Sequence, residues 1–185
     1  MNNIDRFLTN FQESQSNILF ITKHKISFSY GSFWKNALCL ANKWSDGGLK
    51  KGNIVVLNLD NDISMPCAIL ACAIGGFAAC PIVDKKMLTG VVAELNPSLI
   101  IDKEIDLDNH IYMGEGDSYY FSHEKNDYFL INFTAGSTGE PKIMCHGLEQ
   151  IICSAYSFSK QSSFDKNPVL YHVLPMAYMA GILNT

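Results

Sequence analysis

A chain of 185 residues that is 48% hydrophobic and 17% charged has enough apolar material for one sizeable core and too little charge to be disordered. Its formal net charge is −4, from 14 basic and 18 acidic residues. No Lys/Arg run exceeds a pair, so neither a nucleic acid nor an anionic membrane is expected as a partner.

Ile4, Phe7, Leu8 and Phe11 recur at helical spacing and make one apolar stripe on an opening helix. Residues 18–22 and 26–30 read as two short strands joined by the polar turn Lys23-His24-Lys25. Ser29 is placed to cap a second helix, whose stripe is Phe33, Ala37, Leu40, Ala41 and Trp44. Gly47-Gly48 ends it, since glycine accepts the left-handed cap conformation. Residues 54–59 form a β-branched run with little polar alternation, the pattern of a strand covered on both faces.

A helix over 64–74 and a strand over 78–83 follow. The apolar stretch 67–83 contains Gly75, Gly76 and Pro81, whereas a spanning helix needs roughly 20 continuous apolar residues, so a transmembrane segment is not expected. A helix near 88–95 and a strand at 99–101 come next; 102–108 is an acidic, solvated loop. Residues 105–125 read as irregular connecting structure with one strand at 110–113. A buried strand at 128–133 leads into a glycine-rich loop, then the apolar residues 143–145, a helix around 148–160 and a last strand at 169–174. Strands alternating with helices at this spacing indicate an α/β fold: a mostly parallel sheet with flanking helices.

The six cysteines (Cys39, Cys67, Cys72, Cys80, Cys145, Cys153) contain no C-x-x-C pair, and four sit in apolar surroundings. Buried thiols in a reducing cytoplasm are expected, rather than metal ligands or a disulfide framework. The N-terminus lacks the basic start and apolar run of a signal peptide. His24, His110, His123 and His172 have no metal-ligand spacing and read as surface or core histidines. Asp60, Asn61 and Asp62 read as a polar turn capping the following helix.

The chemistry lies in the loop after Phe133: Thr134, Ala135, Gly136, Ser137, Thr138, Gly139, Glu140, Pro141 and Lys142. Gly136 and Gly139 allow backbone N–H groups to approach an anion closely. Thr134, Ser137 and Thr138 offer hydroxyl donors, and Lys142 a positive charge. Together they suit a polyphosphate. In open α/β sheets ligands bind outside the carboxyl ends of strands, which is where such a loop emerges. It is not a Walker A loop, because Lys142 follows Pro141 instead of glycine.

The string Phe-Thr-Ala-Gly-Ser-Thr-Gly-Glu-Pro-Lys resembles the phosphate-loop signature of the adenylate-forming (AMP-binding) superfamily, which includes acyl-CoA synthetases, luciferases and peptide-synthetase adenylation domains. Other segments are similar to the same family. They are Phe28-Ser29-Tyr30 with Ala41-Asn42-Lys43-Trp44, the turn Gly48 to Val56 with Asn53 in place of the usual Asp, the apolar run Ala71 to Pro81, and Leu174-Pro175-Met176-Ala177-Tyr178-Met179-Ala180-Gly181-Ile182.

The resemblance implies the N-terminal part of the family's large AMP-binding domain, over residues 1–185. It implies ATP with Mg2+ as cofactors, a small-molecule carboxylic acid as substrate and coenzyme A as acyl acceptor. Thr134, Ser137, Thr138 and Lys142 would hold the β- and γ-phosphates. Tyr178, Met179 and Gly181 would lie in the acyl-substrate region, with Tyr178 where most members have His. His146 stands closer to Lys142 than the corresponding His of many members, and reads as a helix-entry residue with no site role. The family's adenine and Mg2+ segment, its ribose-binding Asp and its small domain with the catalytic Lys have no counterpart before Thr185. The resemblance therefore implies no catalytic residue within these 185, little activity for the chain alone, and self-association through uncovered apolar surface. A peptide-synthetase adenylation domain is one alternative, although no Asp lies between Val169 and Thr185 to hold an amino group. A nucleotide- or phosphate-binding module without catalysis, or a structural remnant, is another.

Overall fold

The computed structural model describes residues 2–82, 84–105, 107, 119–124, 127–134, 142–162 and 169–183, residue 134 through its backbone alone. The first helix, α1 (Asn3–Glu13), is capped by Asn2, whose side chain accepts the Asp5 N–H at 2.7 Å. Its apolar stripe points inward and buries Phe11, whose ring centroid lies 5.5 Å from that of Trp34.

Strands β1 (Ile18–Ile21) and β2 (Ser27–Ser29) pair antiparallel as a separate two-stranded sheet, the hairpin that the sequence indicates. Ser29 then accepts the Ser32 N–H at 3.1 Å and starts α2 (Tyr30–Asp46). The end of α2 shows why two glycines stand there. Gly47 remains at φ −72°, while Gly48 takes the left-handed conformation at φ +97°. The Gly48 N–H reaches Ser45 O and the Leu49 N–H reaches Trp44 O, a Schellman closure that satisfies two orphan carbonyls.

The main sheet has five strands in the order β5-β3-β4-β6-β7: β3 (Ile54–Leu57), β4 (Ala78–Pro81), β5 (Leu99–Ile101), β6 (Leu130–Thr134) and β7 (Lys142–His146). β3 runs parallel to β4 and β5, β4 runs parallel to β6, and only β7 is antiparallel. The strand alternation sorts side chains into two cores. Val55, Leu57, Ala79 and Leu130 face a core shared with α2 and α3 (Ser64–Gly75), whereas Val56, Ala78, Cys80 and Ile131 face one that includes Val91 of α4 (Leu88–Leu95). Val55, Val56 and Leu57 are all fully buried, which is why residues 54–57 show no polar alternation.

α3 ends at Gly75, and Gly76 caps it at φ +74°. A Cβ on Gly76 would meet the Lys51 and Ser122 side chains at 3.0 and 3.1 Å. No described helix is long and apolar enough to cross a membrane, and residues 67–82 resolve into α3 and β4 as expected.

The second half departs from expectation in two places. Residues 169–174, read from the sequence as a strand, form no strand; Val169 and Tyr171 are 95% and 92% exposed, with no neighbouring strand to pair with among the described residues. A short helix, α6 (Met179–Leu183), follows them. Residues 143–145, read only as an apolar stretch, lie within the antiparallel edge strand β7 (Lys142–His146), and α5 (Leu148–Gln161) follows as expected. The strand expected at 110–113 lies outside the described residues. The six cysteines are free, and burial pushes the Cys67 and Cys80 thiols up to about 12, so these two behave as small apolar groups.

Candidate nucleotide-binding site

The site is built on β6, the strand that emerges from the buried centre of the sheet. Leu130 and Ile131 anchor it in both cores. Its parallel alignment with β4 brings Thr134 to the carboxyl edge, the edge where ligands bind in sheets of this kind. β7 returns antiparallel with five consecutive pairs, from Leu130↔His146 to Thr134↔Lys142. The candidate phosphate loop is thus the connection of a hairpin, and its two ends are held opposite one another by the last rung of the ladder. Of the loop residues, Ala135, Gly136, Ser137, Thr138, Gly139, Glu140 and Pro141 lie outside the described residues. Thr134 and Lys142 bracket them, and Lys142 is exposed. His146 lies at the opposite end of β7, about 14 Å along the strand from Lys142 at 3.4 Å per residue. Its carbonyl accepts the Phe129 N–H at 2.8 Å, so it sits at the open end of the hairpin, away from the loop and beside the entry to α5.

The second part of the site is the segment from Leu174 to Gly181, and the structure brings it to the same edge. Two asparagines hold it. Asn61, in the turn after β3, accepts the Met176 N–H through Oδ1 at 2.8 Å and donates through Nδ2 to Leu174 O at 3.2 Å. Asn132, in β6, donates through Nδ2 to Ala177 O at 3.2 Å. Met176 and Ala177 are buried beneath these contacts, while Tyr178 is half exposed at the start of the turn into α6. Gly181 has a steric reason to be glycine: a Cβ there would collide with the carbonyl oxygen of Pro175. His172 Nε2 lies 3.0 Å from Gly181 O and ties the preceding stretch to α6.

Sequence reasoning missed both asparagines as site-building residues. Asp62 behaves as the capping turn suggests, accepting the Ser64 N–H at 2.8 Å, but Asn61 turns the other way and serves the 174–176 backbone. The available signal was Asn132 itself. A polar side chain inside the apolar run Phe129-Leu130-Ile131-Asn132-Phe133 is buried on a strand covered on both faces, and such a group requires a partner.

Elsewhere the titratable groups serve the scaffold. His123 Nε2 donates to Cys72 O at 3.3 Å, and burial pulls its pKa below the ordinary histidine value. Lys51 bridges Glu124 and Asp127 at 2.9 and 3.1 Å and fastens the segment before β6 to the turn before β3.

A family model described as AMP-binding enzyme matches residues 8–185. No curated protein matches the chain. Among solved structures, ATP-bound MatB from Rhodopseudomonas palustris superposes with a TM-score of 0.82 at 15% identity, over 99% of this chain and 42% of that one. The complex of VinN with L-aspartate gives 0.83 at 15% identity, over 100% and 54%. O-succinylbenzoate coenzyme A synthetase (MenE) from Bacillus subtilis, bound to AMP, gives 0.78 at 17% identity, over 96% and 51%. At these identities the likeness is one of fold, and the chain spans roughly half the length of the structures it matches.

Proposed function

The chain belongs to the AMP-binding enzyme family, and from that premise we propose that it is the phosphate-holding, N-terminal part of an enzyme domain that activates a carboxylic acid with ATP. A carboxylate oxygen attacks the α-phosphorus, the acyl-adenylate forms and pyrophosphate leaves. The acyl group then passes to a thiol, with coenzyme A as the expected acceptor. The observation that carries this reading is the strand-loop-strand unit: the sequence Thr134 to Lys142, with its two ends registered opposite one another at the carboxyl edge of a parallel sheet.

In this reading Thr134, Ser137, Thr138, Lys142 and the backbone donors around Gly136 and Gly139 bind the β- and γ-phosphates. Their contribution is to stabilise the charge that develops on departing pyrophosphate. The segment carrying Tyr178, Met179 and Gly181 borders the carboxylate. ATP enters as its Mg2+ complex. Among the described residues no group of three His, Cys, Asp or Glu could hold the ion. The soluble, reducing cytoplasm is the compartment that free thiols and an ATP substrate suit best.

An amino-acid-activating relative is the second reading. The structure of VinN with L-aspartate favours it, and the absence of an Asp between Val169 and Thr185 weighs against it. Titration calorimetry with Mg-ATP and with inorganic pyrophosphate tests the shared core of both. The wild-type chain should bind each, and Lys142→Ala should weaken both. Absence of binding, or equal binding by the variant, would sink the proposal.

A further inference from the structure

Asn132 is 93% buried, being 7% exposed, in a strand otherwise filled with apolar side chains, and it spends a single hydrogen bond, to Ala177 O. Its Oδ1 is buried with no hydrogen-bond partner among the described residues. For the stability of the sheet alone, an apolar side chain would avoid a cost, because a buried amide with an unpaired acceptor is a net cost. The position therefore calls for an account other than packing. Asn132 is two residues before Thr134, about 7 Å along the strand. The atom it grips belongs to the residue immediately before Tyr178. Asn61 grips the same segment from the neighbouring side, at Met176 N–H and Leu174 O. The turn after β3 and the middle of β6 thus reach the same segment, residues 174–177, each through a side-chain amide.

We propose that Asn61 and Asn132 are positioning residues, a two-point mooring that holds residues 174–177, and with them the carboxylate side of the site, in fixed register with β6, the strand that leads into the phosphate loop. The proposal rests on the adenylating reading given above. Asn61 fixes the segment to the turn after β3. Asn132 fixes it to the strand that carries the loop, so a displacement of β6 on phosphate binding is passed to Ala177 through one hydrogen bond. What they supply is geometry, which matters because attack on the α-phosphorus requires the carboxylate and the leaving pyrophosphate to be presented in line.

Amide hydrogen exchange on the whole 185-residue chain decides the matter. Without ligand, Asn132→Leu and Asn61→Ala should each speed exchange across 174–183 by about tenfold, the worth of one or two net hydrogen bonds, while α3, β3 and β4 keep their wild-type rates. Asn61→Asp retains the acceptor for Met176 N–H and should restore protection at that amide. Pyrophosphate should slow exchange in 174–183 in the wild type; Asn132→Leu should still bind pyrophosphate but lose the remote slowing. Unchanged exchange at 174–183 in both ligand-free variants would overturn the mooring, as would a uniform rise through the sheet or a remote slowing preserved in Asn132→Leu. Failure of the wild type to bind pyrophosphate would instead count against the adenylating reading, and the ligand-free comparison would still decide whether the mooring exists.

Discussion

Thr134 and Lys142 form the last rung of the β6–β7 ladder, so the two ends of the glycine-rich loop face one another across a single backbone pair. The pairing keeps Lys142 opposite Thr134, instead of at the end of a free tether.

That arrangement predicts how binding should fail. Lys142 is exposed, so its attraction for a polyphosphate is screened by salt. Lys142→Ala should weaken pyrophosphate binding by about tenfold at low ionic strength, where one well-placed charge is worth of the order of 1 kcal/mol or slightly more. Raising the salt should shrink the gap between variant and wild type. Lys142→Arg, which keeps the charge, should recover most of the affinity. A gap that stayed constant from low to high salt would show that Lys142 acts through loop structure and not through charge.

Gly181→Ala should be costly although only one methyl is added. The new Cβ would collide with the carbonyl oxygen of Pro175, and backbone cannot move aside as a flexible side chain can. The expected loss is about 1–3 kcal/mol, the usual range for overpacking, and it should fall on residues 174–183 rather than on the sheet. Gly90→Ala is the control, because a Cβ there meets nothing within 4 Å. Thermal unfolding of the two variants checks the pair. Equal Tm values would mean that the 174–183 segment contributes nothing to the cooperative unit.

His123 gives the protein an acid-side sensitivity. Burial is the main reason its pKa is lowered from 6.5; hydrogen bonding to Cys72 O and the nearby Asp127 charge oppose the shift, and Lys51 adds to it. The ring is therefore neutral in the folded state at pH values where the unfolded chain already binds a proton. A base with a depressed pKa favours the unfolded state as pH falls below 6.5, so stability should decline from there until the folded value is passed. Asp127 works in the same direction further down. The Glu124 N–H, followed by Lys51, holds its carboxylate ionised below the ordinary range, and that contribution disappears as pH falls through the lowered pKa. Urea unfolding at pH 7.5, 6 and 5 should show the decline, and His123→Gln should flatten the part just below 6.5. An unchanged slope in His123→Gln would assign the effect to carboxylates alone.

The parts of the fold legible in sequence were those whose periodicity is enforced locally. The β3 run Ile54-Val55-Val56-Leu57 is apolar at every position because it faces two cores, and the α2 boundaries follow from Ser29 and the Gly47-Gly48 pair. What sequence could not supply was pairing. Residues 142–146 alternate too weakly to announce an edge strand, and they are one only because β6 lies beside them. Residues 169–174 carry the β-prone residues of a strand without a partner strand among the described residues, and they remain irregular. The same limit hid the roles of Asn61 and Asn132. Each side chain finds its partner more than 40 positions away, at Met176 and Ala177 respectively, with separations of 115 and 45.

The unpaired stretch has its own consequence. Val169, Tyr171 and Val173 are 95%, 92% and 65% exposed, and Tyr128 is 63% exposed. A strand-prone apolar segment in water is a ready template for association with another chain. The 185-residue chain should therefore self-associate in a concentration-dependent way, and replacing Val169 and Tyr171 with Lys should shift it towards monomer. Sedimentation velocity across a hundredfold concentration range tests this; a monomer throughout would show that the exposed side chains are tolerated singly.

The last expectation is that phosphate binding and catalysis separate in this chain. Holding the β- and γ-phosphates fixes one end of ATP, but rate acceleration requires the carboxylate, the α-phosphorus and the charge-stabilising donors to be assembled together with water kept out. The chain spans 42–54% of the length of the ATP-, aspartate- and AMP-bound structures it resembles, and Tyr178 stands half exposed where the acyl side of the site is expected. Binding without turnover is what such a site should give. Carboxylate-dependent exchange of labelled pyrophosphate into ATP, measured over a panel of fatty, aryl and amino acids, should not rise above the Lys142→Ala control, although calorimetry detects pyrophosphate binding by the wild type. If exchange rises well above the control for any one acid, the separation fails, and these 185 residues contain a complete adenylating centre whose substrate that acid would identify.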